Sequence, residues 1–172
     1  MASVGTETPV PIELFRIDDR LIHGQVVVGW GEPLDVGFIV LVDDEVAESD
    51  WEQELYRLGV PSRMDVHFDT VTTAATAFER YESDPRPGIL LTKDIDSMER
   101  LAERVPLIRA INLGGLHFRD GRAQKLRYVF LDCNEEGALR HLAARGVVIT
   151  AQDVPAARPV PLDDVLASRG GR

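Results

Sequence analysis

Four side chains with acid, base and cationic chemistry stand close together near the N-terminus. Asp18, Asp19, Arg20 and His23 lie in the segment RIDDRLIHGQVVVGW (residues 16–30), between a short apolar run and a helical pattern. A neutral imidazole can attack phosphorus near pH 7. A guanidinium presents a planar fork of donors that fits a phosphoryl group. A carboxylate bound to the other ring nitrogen would select the tautomer of the imidazole.

These residue types together predict a phosphohistidine carrier. His23 would be the phosphoacceptor nucleophile, Arg20 would stabilise the phosphoryl group, and Asp18 and Asp19 would orient both side chains. The same residues also suit an ordinary turn in which two acids pair with an arginine. Their types and spacing alone therefore leave both interpretations open.

The rest of the chain alternates strand-like and helix-like segments, which predicts the fold class. Residues 36–42 form a continuous apolar run typical of a buried parallel strand. Ile22, Val26 and Trp30 recur at helical spacing. The alternation predicts a single α/β domain with a mostly parallel central β-sheet, helices on both faces and an antiparallel edge strand.

The predicted boundaries follow composition. A flexible N-terminal arm covers residues 1–12, the domain covers 13–155, and a C-terminal tail rich in Pro, Gly and Arg covers 156–172. Within the domain we expect one helix over 71–81. The predicted strands include residues 13–17, 64–68, 88–92, 107–113, 126–131 and 147–150.

Open α/β sheets bind ligands beyond the carboxyl ends of their strands, which ranks the loops as candidate sites. His23 falls in the first turn of a helix, where free backbone N–H groups favour an anion. We therefore expect Gly24 and Gln25 to bind the phosphoryl group. His117 could join the same pocket, although an ordinary surface or packing role is the simpler interpretation. The predicted pocket rim consists of Asp43, Asp44, Lys93, Asn112, Gly114 and Gly115.

A second acid pair leaves a different phosphoprotein class open. Asp43 and Asp44 follow a buried strand, and hard cations such as Mg²⁺ prefer oxygen ligands. With Lys93 and Asp94 they would resemble a receiver domain that is phosphorylated on aspartate, but their order and spacing fit that class poorly. We expect no metal and no cofactor.

Charge and composition exclude other classes. The formal net charge of −10 and a pI of about 4.8 argue against a nucleic-acid partner, because an acidic surface repels phosphate backbones. The one cysteine, Cys133, cannot form an intrachain disulfide. We see no signal peptide and no apolar run long enough to span a bilayer, so we expect a cytoplasmic location.

The segment DDRLIHGQV resembles the active-site signature of the IIB component of the mannose/fructose/sorbose family of the bacterial phosphoenolpyruvate-dependent sugar phosphotransferase system. The likeness continues in order through 39–47, 89–101, 111–118 and 127–155, and so covers about residues 13–155. It implies that His23 takes a phosphoryl group from a phosphohistidine of the IIA protein. His23 would then pass it to a sugar held by the membrane IIC and IID proteins, while Arg20 steadies the group.

The resemblance has further implications. It implies a protein-Nπ-phosphohistidine–sugar phosphotransferase that is phosphorylated at Nδ1 and takes its phosphoryl group from a separate IIA polypeptide. It also implies peripheral association with the inner membrane through IIC and IID, and it suggests a homo-oligomer. The sugar is not specified. The alternative is a regulatory phosphoprotein of the same fold, in which the phosphorylation state of His23 controls a partner rather than transport.

Overall fold

The computed structural model describes residues 11–170, which form a central sheet with helices on both faces. The nine strands of this part of the chain are β1 (Ile12–Ile17), β2 (Phe38–Val42), β3 (Asp65–Asp69), β4 (Gly88–Thr92), β5 (Ala110–Leu113), β6 (Ala123–Leu126), β7 (Val129–Leu131), β8 (Val148–Ala151) and β9 (Val160–Pro161). The α-helices are α1 (Asp50–Leu58), α2 (Val71–Thr76), α3 (Phe78–Glu82), α4 (Ile95–Arg104), α5 (Cys133–Ala144) and α6 (Leu162–Ala167). A π-helix (Gln25–Trp30) follows β1, and a 3₁₀ helix (Val46–Glu48) follows β2.

Seven strands form one sheet in the order β3-β2-β4-β1-β5-β8-β9. All neighbours in it are parallel except β9, which runs antiparallel to β8 at the edge. This arrangement confirms the predicted fold class. The chain moves from β1 toward the β3 side and later crosses to β5 on the other side. The carboxyl end of β1 is therefore the point at which a ligand site is expected.

The core consists of two apolar layers, one on each face of the sheet. β2 is buried throughout, and its side chains alternate between the layers: Val40 and Val42 pack with α2–α6, whereas Ile39 and Leu41 pack beneath the π-helix. Burial of a strand on both faces requires an apolar residue at every position. This requirement explains the uninterrupted run that the sequence shows at 36–42.

The ends of the domain differ from the predicted boundaries. β1 begins at Ile12, one residue before the predicted start, and residues 1–10 of the predicted arm (1–12) lie outside the described residues. The predicted tail contributes β9 to the sheet and α6 to the core, where Leu162 and Val165 are buried. Residues 160–167 therefore belong to the folded domain.

Three segments differ locally from the prediction. The helix expected over 71–81 divides into α2 and α3 at Ala77. The strand expected at 107–113 is limited to Ala110–Leu113. The strand expected at 126–131 splits into β6 and β7, which form an antiparallel hairpin apart from the main sheet. Within residues 11–170, no helix is long and apolar enough to cross a membrane.

Candidate active site

The loop after β1 is tied to both neighbouring strands. The backbone N–H of Asp18 donates to the carbonyl of Thr92 at the end of β4 (3.0 Å), and that of Asp19 donates to the carbonyl of Gly115 after β5 (2.8 Å). Leu21 has a φ of +55°, in the left-handed region that a branched side chain rarely adopts. Its side chain is buried in the core, which offsets the cost of this conformation.

The carboxylate of Asp18 is the centre of the site. It is fully buried, and it accepts hydrogen bonds from Arg16 Nη2 (3.0 Å) and from Arg20 Nε and Nη2 (both 3.1 Å). Nε2 of His23 lies 3.3 Å from Oδ2 of Asp18. Burial by itself would raise the pKa of Asp18, but the contacts with His23 and Arg20 and the charge of Arg16 outweigh burial and hold this pKa well below its usual range.

The surroundings of the His23 ring distinguish its two nitrogens. Nε2 is buried without a well-formed hydrogen bond, and the Asp18 carboxylate is its close polar neighbour. Nδ1 accepts the backbone N–H of Gln25 at 3.3 Å. A ring that directs Nε2–H toward the carboxylate keeps its lone pair on Nδ1. These surroundings therefore favour Nδ1 as the nucleophilic atom.

Arg20 lies beside the histidine and remains partly exposed. Its Nη2 also donates to Oε1 of Gln25 (2.8 Å), and hydrogen bonding to Asp18 raises its pKa. Gln25 thus accepts a hydrogen bond from Arg20 with its side chain and donates one to His23 with its backbone. Gly24 opens the π-helix in a helical conformation, and a Cβ there would meet nothing within 4 Å. The space over Gly24 is open for a group bound to His23.

Arg16 is a residue of the site that the sequence analysis missed. It is fully buried, and Nη1 donates to Oδ1 of Asn112 and to the carbonyl of Gln152 (2.8 Å). Nη2 donates to the carbonyl of Asp153 (3.2 Å) as well as to Asp18. Burial lowers the pKa of Arg16, and the neighbouring Asp18 carboxylate only partly compensates. A charged residue inside the buried strand IELFRI was the available signal, since such a charge requires a partner.

Two predicted rim residues lie in this buried layer rather than at the rim. Asn112 sits opposite Arg16 in the β1–β5 register and holds its guanidinium. Gly114 leaves room for the network: a Cβ there would lie 2.3 Å from Arg16 Nη2 and 2.5 Å from Asp18 Oδ2. Gly115 is also buried, and a Cβ there would lie 3.1 Å from Arg20 Nη2.

Asp19 occupies a different place from the predicted one. Its Oδ1 lies 2.6 Å from Nδ1 of His117, and its Oδ2 accepts the backbone N–H of His117 at 2.7 Å. In the described structure its hydrogen bonds do not reach Arg20 or His23, so the expected orienting role belongs to Asp18. His117 is thereby brought to the site. It lines a shallow cleft of about 270 Å³ with Arg20, Gln25, Gly115, Arg127, Tyr128 and Asp153.

The second acid pair lies apart from this cleft. Asp43 accepts two backbone N–H groups at the start of the 3₁₀ helix and forms an ion pair with Lys93 (3.0 Å). Asp44 accepts the N–H of Val71 (2.9 Å) and pairs with Arg100 (3.2 Å). Helix capping and ion pairing therefore account for both carboxylates, which weakens the receiver interpretation.

Comparison with known proteins tests the family resemblance. The family described as "PTS system sorbose subfamily IIB component" matches residues 12–171. The chain belongs to this family. The phosphotransferase-system (PTS) IIB components that form it are phosphotransferases of sugar uptake, and the resemblance stated from the sequence is confirmed.

Individual relatives extend the comparison. The chain is 30% identical to the sorbose-specific EIIB component of Lacticaseibacillus casei over 91% of this chain and 93% of that protein. It is also 30% identical to the mannose-specific EIIAB component of Escherichia coli K12, over 95% of this chain, but it spans about half (51%) of that relative's length. The crystal structure of the N-acetylgalactosamine-specific IIB component 1 from E. coli superposes with a TM-score of 0.81 at 30% identity, covering 87% of this chain and 97% of that one.

Proposed function

We propose that this IIB protein carries a phosphoryl group on Nδ1 of His23 during sugar uptake. The donor is a phosphohistidine on a IIA protein, and the acceptor is a sugar held by membrane IIC and IID proteins. The chain would act in the cytoplasm and reach the membrane through these partners. The observation that carries the proposal is the contact between His23 and Asp18, which sets Nε2 against a buried carboxylate and so supports Nδ1 as the nucleophile.

The transfer is an in-line displacement in which the residues position the reactants and balance charge. The lone pair of Nδ1 attacks phosphorus, and the bond between phosphorus and the donor nitrogen breaks. Asp18 stabilises the positive charge that develops on the imidazole of His23. Arg20, held at Oδ1 and Oδ2 of the same carboxylate, directs its remaining hydrogen-bonding capacity at the equatorial oxygens.

The backbone N–H of Gln25 assists at the same atom. The donor nitrogen lies 3.3 Å from Nδ1, so this hydrogen bond is long and weak and costs little to break. When Nδ1 forms its bond to phosphorus, the N–H of Gln25 keeps its hydrogen and donates its hydrogen bond to a phosphoryl oxygen instead of to Nδ1. The N–H of Gly24, the N-cap residue of the π-helix, would do the same, and the open space over Gly24 supports this role.

The test is phosphorylation of the purified chain by phosphoenolpyruvate, the general phosphotransferase proteins and a IIA protein. Mass spectrometry should find one phosphoryl group, located on His23, and none in His23→Ala. The modification should be labile in acid and stable in base, as a phosphoramidate is. An aspartyl phosphate would instead be lost in base or hydroxylamine, and that result would move the assignment to the acid pair. Phosphorylation of the His23→Ala protein would refute the proposal.

A further inference from the structure

An exposed histidine beside the phosphoryl site is anchored at three points. The side chain of His117 is 58% exposed, yet Asp19 binds both its ring Nδ1 (2.6 Å) and its backbone N–H (2.7 Å). Nη1 of Arg122 donates to its carbonyl at 2.7 Å, and Arg122 is itself buried. Fixing a solvent-exposed side chain costs rotamer entropy. Two of the three contacts fix the backbone and one fixes the ring, so the exposed imidazole is held in one place, which indicates that its position matters for binding.

The ring stands next to Arg20 across Gly115. A Cβ placed on Gly115 would lie 3.1 Å from Arg20 Nη2 and 3.3 Å from His117 Cε1, so the guanidinium and the imidazole flank this glycine. Both also line the cleft of about 270 Å³ next to Gln25. Asp19, which binds His117, directly precedes Arg20, so the loop after β1 positions both side chains. The cleft therefore presents the imidazole of His117 beside the guanidinium of Arg20.

We propose that His117 is a further catalytic residue of the transfer, binding an oxygen of the moving phosphoryl group through Nε2 alongside Arg20. This inference rests on the proposed function of His23. A carboxylate has no hydrogen to give, so Nδ1–H donates to Asp19 and Nε2 is the nitrogen left for a ligand. In the imidazolium form both ring nitrogens carry a hydrogen. Nδ1–H then donates to the Asp19 carboxylate while Nε2–H donates to the phosphoryl oxygen. Asp19 is then the positioning residue for His117, as Asp18 is for His23.

The experiment compares two phosphoryl donors in single-turnover reactions that follow phosphorylation of His23. One donor is phosphorylated IIA, and the other is phosphoramidate, a small molecule without a protein surface. His117→Ala should slow transfer from both donors by about tenfold to a hundredfold, the effect of losing one charged hydrogen bond to the transition state. The apparent affinity for IIA should stay unchanged. His117→Gln, which keeps an N–H donor, should recover part of the rate, and Asp19→Asn should be slowed to a smaller degree.

The control is His141→Gln, because His141 also pairs with a carboxylate, Glu99 (2.8 Å), but on the distant α4–α5 surface. It should react as the wild type does. A wild-type rate for His117→Ala with both donors would overturn the inference, as would a loss seen only with IIA, which would make His117 a docking residue. Thermal melting checks that the variants fold, and His117→Gln carries the comparison if His117→Ala melts early. A wild-type chain that is not phosphorylated on His23 would instead refute the proposed function itself.

Discussion

Nε2 of His23 lies 3.3 Å from Oδ2 of Asp18, the same oxygen that accepts hydrogen bonds from Arg16 and Arg20. One carboxylate thus contacts both the proposed nucleophile, His23, and Arg20, the cation proposed to bind the phosphoryl group. Arg16 forms an ion pair with that carboxylate, and both side chains are fully buried. The site is therefore arranged around Asp18, and changes at Asp18 should affect both the reaction and the fold.

Asp18→Asn should destabilise the chain and slow phosphorylation of His23. The neutral amide leaves the buried guanidinium of Arg16 without its ion-pair partner, and breaking such a pair costs about 3–5 kcal/mol of unfolding free energy. Urea unfolding at pH 7 measures this loss. Asp44→Asn, at a half-exposed ion pair with Arg100, should cost about 1 kcal/mol or less. Equal stability of Asp18→Asn and wild type would show that Asp18 is not the central anion.

The pKa of Asp18 also predicts how stability changes in acid. Because the folded pKa lies below the ordinary value of 3.8, the stabilisation from Asp18 is fully present above that value. It is lost as the pH falls further, toward the folded pKa, because the unfolded chain then binds a proton that the folded chain does not. The difference in unfolding free energy between wild type and Asp18→Asn should be constant from pH 8 to about pH 5 and shrink below about pH 4. A difference that grows in acid would contradict this assignment.

Arg20→Ala should reduce the rate more than the stability. The guanidinium is a third exposed, so its ion pair with Asp18 contributes little to folding once solvent screening is considered. The loss of transition-state stabilisation should be on the order of 2–4 kcal/mol, by analogy with a single donor in an oxyanion hole. Stopped-flow or rapid-quench measurement of transfer from phosphorylated IIA gives the rate. Arg20→Lys should recover little of it, since an ammonium cannot bind both carboxylate oxygens as the guanidinium does.

Gly114→Ala should disrupt the site although it adds only a methyl group. The added Cβ would lie 2.3 Å from the Arg16 guanidinium, and the crowded atoms are buried and fixed. We expect a loss of about 1–3 kcal/mol in unfolding free energy and slower phosphorylation of His23. The matched control is Gly137→Ala in α5, where a Cβ meets nothing within 4 Å and should stabilise the helix by up to about 1 kcal/mol. Wild-type melting and rates for Gly114→Ala would show that the network tolerates a shift.

The sequence predicts the sheet well because its signals are local. The uninterrupted apolar run of β2 and the acidic loop after β1 need no tertiary information to be recognised. Helix α1 shows the limit of such reasoning: Trp51, Leu55 and Leu58 share one face at helical spacing, yet the structure leaves all three exposed. An apolar stripe reports that a face can be buried, whereas the packing of the whole domain decides whether it is.

The candidate site was only partly predictable for a related reason. His23, Arg20 and Asp18 are close in sequence, so their grouping is visible without a structure. Arg16 and Asn112 are 96 residues apart and meet only through the pairing of β1 with β5. The same holds for Asp19 and His117, 98 residues apart. Adjacent positions suggest a common role for Asp18 and Asp19, but the loop turns the two carboxylates toward different partners.

Asp18 lies between the guanidinium groups of Arg16 and Arg20, and the charge balance of these three residues would determine how strongly the loop binds a phosphoryl group. Arg16, Arg20 and Asp18 together leave one surplus positive charge, whereas a phosphoryl group brings close to two negative ones. The loaded loop is therefore slightly anionic. Under the proposed function, the unloaded loop would attract the incoming phosphoryl group without neutralising it completely, and the P–N bond would stay weak enough for transfer to the next acceptor.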